Sequence, residues 1–142
     1  MERRINSFMR SVEADNYSSF INLLSTNKEI YRKFLDHITI NVSEFFRDPP
    51  LWVTMQYLFE RMISEKAARQ DHTLTVWSAG CANGEEPYSL AISVSEAARA
   101  HAKTIHAKII ATDIDKGALV TAQKAQYPLE SIKNVNDKLL SK

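Results

Sequence analysis

The chain has 142 residues, of which 44% are hydrophobic and 25% charged, with a formal net charge of +1. That length suffices for one domain, or for a small domain plus part of another. The near-neutral balance excludes bulk attraction to nucleic acid or anionic membrane, and no apolar run reaches the length that spans a bilayer.

Ile5, Phe8, Met9 and Val12 fall at helical spacing after Arg3 and Arg4, so the first predicted element is an amphipathic helix. A second short helix is expected over Phe20 to Leu24, entered through Ser18 or Ser19. Thr26-Asn27-Lys28-Glu29 resembles a capping box, and Ile30, Phe34, Leu35 and Ile38 continue that helix's apolar face. The stretch Ile38 to Asp48 follows. Its adjacent Phe45 and Phe46 fit no single amphipathic period, and the simplest reading makes them a plug between two modules, with Arg47 paired to an acid. Asp48-Pro49-Pro50 starts a long helix, because proline is tolerated in a first turn. Leu51, Met55, Leu58, Phe59 and Met62 form its apolar stripe, and the polar run from Ser64 to Thr73 ends it.

Val76-Trp77-Ser78-Ala79-Gly80-Cys81-Ala82-Asn83-Gly84-Glu85-Glu86-Pro87-Tyr88-Ser89 then reads as a buried strand, a small-residue loop and a helix start. Backbone in such a loop can approach a nucleotide-type ligand closely. Only Gly80 and Gly84 are present, not the three glycines of a dinucleotide fingerprint, and Glu85 and Glu86 would repel a phosphate at that helix N-terminus. They suit a ligand with a cationic group nearby, such as the amino end of S-adenosylmethionine, or they merely complement the helix dipole. After a helical stretch with Leu90, Ala91, Val94, Ala97 and Ala98 on one face, Lys108 to Thr112 reads as a second buried strand. The unit is β-α-β, which implies adjacent parallel strands and a right-handed crossover. Asp113, at the carboxyl end of the second strand, is the candidate to face the ligand crevice within reach of ribose hydroxyls, the alternative being that it is simply part of a turn, and Asp115 is expected to cap the helix Lys116 to about Lys124.

Taken together, Ile38-Thr39-Ile40-Asn41-Val42-Ser43-Glu44-Phe45-Phe46-Arg47-Asp48, Trp77 to Ser89, and Ala111-Thr112-Asp113-Ile114-Asp115 resemble, in that order, the motifs of the CheR chemoreceptor methyltransferases. The resemblance covers nearly all of the chain. It implies S-adenosylmethionine-dependent methylation of glutamate side chains on chemoreceptors, with S-adenosylhomocysteine as product. It implies that Asn41, Ser43 and Arg47 line the cofactor and target site, and that Ala79, Gly80, Glu85 and Asp113 contact the cofactor, Glu85 at its amino acid portion and Asp113 at its ribose. The expected fold class is α + α/β: a small all-helical, receptor-docking N-terminal domain over 1–47, a linking helix over 48–72, and over 73–142 the first β-α-β-α part of a Rossmann-like methyltransferase domain. Arg3, Arg4 and Arg10 look like the family's receptor-docking basic face, and the partner implied is the cytoplasmic helical bundle of a chemoreceptor.

The residue types agree with that chemistry. A glutamate side chain is ionised at neutral pH, so attack on a methyl group bound to cationic sulfur needs no general base. Orientation and partial desolvation suffice, and the catalytic assignment falls on Arg47, whose guanidinium can hold a target carboxylate in a fixed fork. Tyr88 or the phenylalanine pair could face the sulfonium, though core packing is the simpler role.

The chain departs from the family pattern in stopping after the second strand and its helix, with Tyr127-Pro128-Leu129 ending that helix. The expectation is a fragment, a truncated product, or a chain that completes its sheet as a homodimer. The alternative function is a non-catalytic receptor-binding or dimerising module. Cys81 is the single cysteine, which excludes an internal disulfide and fits a cytoplasmic setting. His37, His72, His101 and His106 show no ligand spacing, so no metal site is expected.

Overall fold

The computed structural model describes residues 1–39 and 43–141, and the chain divides into two compact units, Met1–Asn41 and Val42–Lys142.

The first unit contains helices α1 (Glu2–Ser11), α2 (Tyr17–Thr26) and α3 (Lys28–Ile38). Its core is aromatic. Phe8, Met9 and Phe20 are buried, with Ile5, Leu24, Ile30 and Phe34 packed around them. Phe20 meets Phe34 edge-on at 5.2 Å between ring centroids, and Phe8 lies 5.4 Å from Phe34. Such pairs add roughly 0.5–1.5 kcal/mol beyond area burial, a useful supplement in so small a core.

Helix boundaries moved where a better cap was available. The expected entry through Ser18 or Ser19 is corrected to Asn16, whose side chain accepts from the Ser19 N–H at 2.9 Å while the Ser19 hydroxyl accepts from the Asn16 N–H. Tyr17 belongs to this helix, and its hydroxyl donates to the Asn6 side chain at 2.8 Å. The box expected from Thr26 is likewise shifted by one residue. Thr26 ends α2, and Asn27 caps α3 by accepting from the Glu29 and Ile30 N–H groups. At the far end of α3, the Arg4 guanidinium donates to the carbonyls of His37 and Thr39, at 3.1 and 3.3 Å. These are groups that a helix end leaves unsatisfied, so this arginine is engaged with its own unit.

The second unit runs α4 (Pro49–Ala68), β1 (Thr73–Ala79), α5 (Glu85–Ala100), β2 (His106–Thr112), α6 (Lys116–Lys124), a 3-10 turn (Leu129–Ile132) and α7 (Asp137–Leu140). Asp48 begins α4 at φ +56° with no side-chain cap bond; the two prolines that follow carry no N–H, so there is less to cap. Phe59 and Ile63 of α4, Leu74 of β1, and Leu90, Val94, Ala97 and Ala98 of α5 make one buried cluster. Truncating such a side chain to alanine costs about 2–5 kcal/mol. Asp71 joins α4 to β1 by accepting from Lys66 Nζ and from the Thr73 N–H and hydroxyl.

The two strands are parallel, in register from Thr73 opposite His106 to Ala79 opposite Thr112. Both are longer than read from the sequence, since each supplies the other with a ladder beyond its apolar run. On β1 the alternation places Leu74 and Ser78 inside, while Trp77 is exposed. Phe45 packs edge-on against Tyr127 at 4.9 Å and Phe46 against Trp52 at 5.1 Å. These contacts of both rings are made inside the second unit, whose bounds take in Phe45 and Phe46 themselves. Among the described residues, no helix is long and apolar enough to cross a membrane.

Candidate functional site

The strand register builds the site. Ala79 and Thr112 are partners, so Gly80 and Asp113 leave the sheet side by side at the carboxyl ends of β1 and β2. The Thr112 carbonyl accepts from the N–H groups of both Gly80 (2.8 Å) and Cys81 (3.0 Å), which turns the chain sharply out of the strand. Gly80 sits at φ +77° and Gly84 at φ +102°, a region open to glycine and costly for residues with a Cβ. The two serve different ends. A Cβ at Gly84 would lie 2.6 Å from Tyr127 Oη and 2.8 Å from Ala122 Cβ, whereas one at Gly80 would meet nothing within 4 Å among the described residues. Gly84 is therefore required by packing, and Gly80 borders open space.

Asp113 braces the loop. Its Oδ2 accepts from the Ala82 N–H and its Oδ1 from the Asp115 N–H, both at 2.8 Å. Ala82 has φ +47°, so the first bond holds a residue that would otherwise relax. A carboxylate has about four lone-pair sites, leaving capacity for a diol. Asp115 caps α6 through the Gly117 and Ala118 N–H groups, as its position predicts.

Glu85 and Glu86 begin α5 and behave differently. Glu86 is exposed, and one of its carboxylate oxygens accepts from the buried Ser78 hydroxyl at 2.6 Å. Glu85 is only 4% exposed, and its Oε2 is buried with no hydrogen-bond partner among the described residues. An unpartnered buried carboxylate oxygen is costly. The helix dipole offsets part of that cost, and a cationic ligand group would offset the rest. Residues around it make a cleft of about 270 Å³ lined by Ser43, Glu44, Asn83, Glu85, Tyr127 and Pro128. Tyr127 reaches in from beyond α6, its hydroxyl donating to the Asn83 carbonyl at 2.9 Å. Burial above all, and then the negative charge of Glu85, raise the Tyr127 phenol to about 12. Burial likewise raises the Cys81 thiol, which is 1% exposed.

The phenylalanine motif is tied to the glycine loop through buried serine. Ser89, fully buried, donates from its hydroxyl to the Glu85 carbonyl at 2.7 Å and accepts from the Phe46 N–H at 3.0 Å. From the other side, the Phe45 N–H donates to the Ser131 carbonyl at 2.8 Å, and Glu44 accepts from Lys133 and Asn134. The Lys133 bond dominates in holding the Glu44 carboxyl below its usual range, with Arg47 among the lesser causes. Arg47 itself is exposed, and its carbonyl accepts from the Trp52 indole N–H at 2.7 Å.

Of the residues predicted from sequence, Ser43 and Glu85 share the cleft. Ala79, Gly80 and Asp113 gather at the strand ends, Arg47 lies on the exposed stretch leading into α4, and Asn41 lies outside the described residues. The ties from Ser89, Tyr127 and the segment around Ser131 to Asn134 were not anticipated; they join positions up to 90 apart in the chain, and no local pattern announces them. The orphaned Glu85 oxygen and the open space beside Gly80 fit a ligand with an ammonium group and hydroxyls. They do not fit a pyrophosphate, which a buried carboxylate at the helix start would repel.

The stretch 41–142 matches the family model described as CheR methyltransferase, SAM binding domain. The chain is 33% identical to a chemotaxis protein methyltransferase of Listeria innocua, over 96% of this chain and 50% of that protein. It is 31% identical to one of Listeria monocytogenes, over 96% and 50%, and 30% identical to one of Borreliella burgdorferi, over 95% and 49%. It thus spans about half the length of the curated relatives it matches. Parallel strands ending in a glycine loop and an acid, a buried glutamate with one oxygen unpartnered among the described residues, and agreement over both units place this chain in the CheR methyltransferase family, whose methyl donor is S-adenosylmethionine.

Proposed function

We propose that this chain takes part in S-adenosylmethionine-dependent methylation of glutamate side chains on chemoreceptors, in a cytoplasmic setting, and that its own residues hold the cofactor. The observation that carries the proposal is the Glu85 Oε2, buried at the start of α5 and without a partner among the described residues. The bound cofactor would supply an electrophilic methyl on a cationic sulfur. Glu85 would meet its ammonium, Asp113 its ribose hydroxyls, and Ala79 and Gly80 would lie against it as bare backbone. Ser43, and Asn41 by the family pattern, would line the same site.

Arg47 is assigned to the target. Its guanidinium would orient the incoming carboxylate without a proton transfer, since glutamate is ionised at neutral pH. Arg3 and Arg10 remain candidates for receptor contact, whereas Arg4 is engaged with two carbonyls of its own unit. The exposed Trp77 and Ile110 on the two-stranded sheet favour one finer proposal, that a second copy can cover the sheet.

Calorimetric titration with S-adenosylhomocysteine tests cofactor binding, and we expect saturable 1:1 uptake. Transfer of labelled methyl groups to a chemoreceptor cytoplasmic fragment, as base-labile ester, tests the reaction. Arg47→Ala should abolish that transfer and leave uptake within about threefold. Equal turnover by Arg47→Ala would remove the catalytic assignment, and no uptake by the unsubstituted chain would refute the cofactor site.

A further inference from the structure

We propose that Tyr127 is a positioning residue for the cofactor, fixing the loop from Gly80 to Gly84 through the Asn83 carbonyl and walling the cleft beside Glu85. The inference rests on the cofactor-binding role proposed above.

Three observations converge on this side chain. First, its hydroxyl donates to the Asn83 carbonyl at 2.9 Å, bridging 44 positions of sequence. Asn83 is the residue before Gly84, so the bond holds the peptide that enters α5. Second, the tyrosine oxygen occupies the place where a Cβ on Gly84 would go, 2.6 Å from that position. Glycine and tyrosine are thus matched, one empty and one filling. Third, the ring is itself held, edge-on to Phe45 at 4.9 Å and to Tyr88 at 5.9 Å, and it lines the same cleft as Glu85 and Ser43. A phenol raised to about 12 stays a donor throughout the working pH range.

The geometry also says why a tyrosine stands there. Gly84 offers α5 no side-chain cap, and Gly80 has nothing near the Cβ position. A loop so poor in side chains has little of its own to hold it. Asp113 fixes one end, through Ala82, and Tyr127 fixes the other. With both in place the Glu85 carboxylate is presented without the loop having to order on binding, which lowers the entropic cost of association.

The test compares Tyr127→Phe with Tyr17→Phe. The second likewise removes a single donated tyrosine hydroxyl, but one bonded to the Asn6 side chain within the first unit and not to the loop. Two readouts are taken on the full chain: affinity for S-adenosylhomocysteine by calorimetry, and hydrogen exchange of the Gly84 amide, which donates to the Cys81 carbonyl. Loss of one net hydrogen bond corresponds to about a fivefold change. We expect Tyr127→Phe to weaken binding and to speed Gly84 exchange by about that factor, with melting lowered by no more than a few degrees, and Tyr17→Phe to alter neither readout. Unchanged exchange in Tyr127→Phe, an equal effect of Tyr17→Phe, or global unfolding of Tyr127→Phe would each overturn the proposal. If the unsubstituted chain takes up no S-adenosylhomocysteine, the cofactor role fails. The exchange comparison then decides alone whether Tyr127 positions the loop.

Discussion

Replacing Glu85 with glutamine keeps the shape of the side chain and removes its charge, so stability and affinity should move in opposite directions. Glu85 is 4% exposed and its Oε2 has no partner among the described residues. Leaving such an atom buried costs about 1–3 kcal/mol, while the negative charge at the start of α5 recovers about 0.3–1 kcal/mol from the helix dipole. Glu85→Gln leaves a polar atom in the same place but a neutral one, whose burial costs less than a charge's, so the ligand-free chain should gain about 1 kcal/mol, or roughly 2–4 °C in melting temperature. Binding responds the other way. A bond between charged partners exceeds a neutral one by about 1–2 kcal/mol, so affinity for S-adenosylhomocysteine should fall about 5- to 30-fold. Differential scanning calorimetry and isothermal titration on the same preparation read both quantities. A variant that melts lower and binds equally well would refute the reasoning, because Glu85 would then be a structural residue whose second oxygen is satisfied by solvent.

The two loop glycines should separate in the same assays. Gly84→Ala combines a backbone cost of about 1–2 kcal/mol with overpacking of about 1–3 kcal/mol against Tyr127 and Ala122, so melting should drop sharply. Gly80→Ala carries only the backbone cost but projects a methyl into open space beside the loop, and should lose binding out of proportion to stability; similar behaviour of the two would contradict the division of roles. Arg4→Ala removes both bonds to the end of α3 and should destabilise the first unit by about 1–2 kcal/mol, read as faster amide exchange in α1 and α3. Glu44 and Asp71 both lie below their usual range, chiefly through Lys133 and Lys66 respectively. A lowered carboxyl stabilises the fold above its unfolded value and loses that contribution as pH falls through the folded one. Melting temperature should therefore decline below about pH 4.5, and Lys133→Met should remove the part due to Glu44; a profile unchanged by that substitution would exclude the Glu44–Lys133 pair as its source.

Much of the candidate site is legible in the sequence itself. The strand, glycine loop and acidic helix start read directly from Val76 to Ser89, because a strand, an open turn and a helix each leave a local pattern in residue type, though β1 is only half-buried and not the buried strand expected. Asp113 was placed by counting from the second strand, and Asp115 by its capping chemistry. Boundaries were less legible. Asn16 displaced Ser18 and Ser19, and Asn27 displaced Thr26, since several adjacent residues can cap and residue type alone does not choose between them.

By itself, the sequence determined that a β-α-β unit would carry a glycine loop and an acidic helix start, since glycine, glutamate and aspartate act there through their own backbone freedom and charge. Only the tertiary structure decided which of two neighbouring glutamates is buried and unpartnered. Burial depends on what the fold brings alongside: Ser78 beside Glu86, and Tyr127 with Ser43 beside Glu85. It also decided that Gly84 is required by Tyr127, a residue that in sequence does no more than end a helix. Contacts between residues tens of positions apart are set by strand register and helix packing, and no local pattern encodes them.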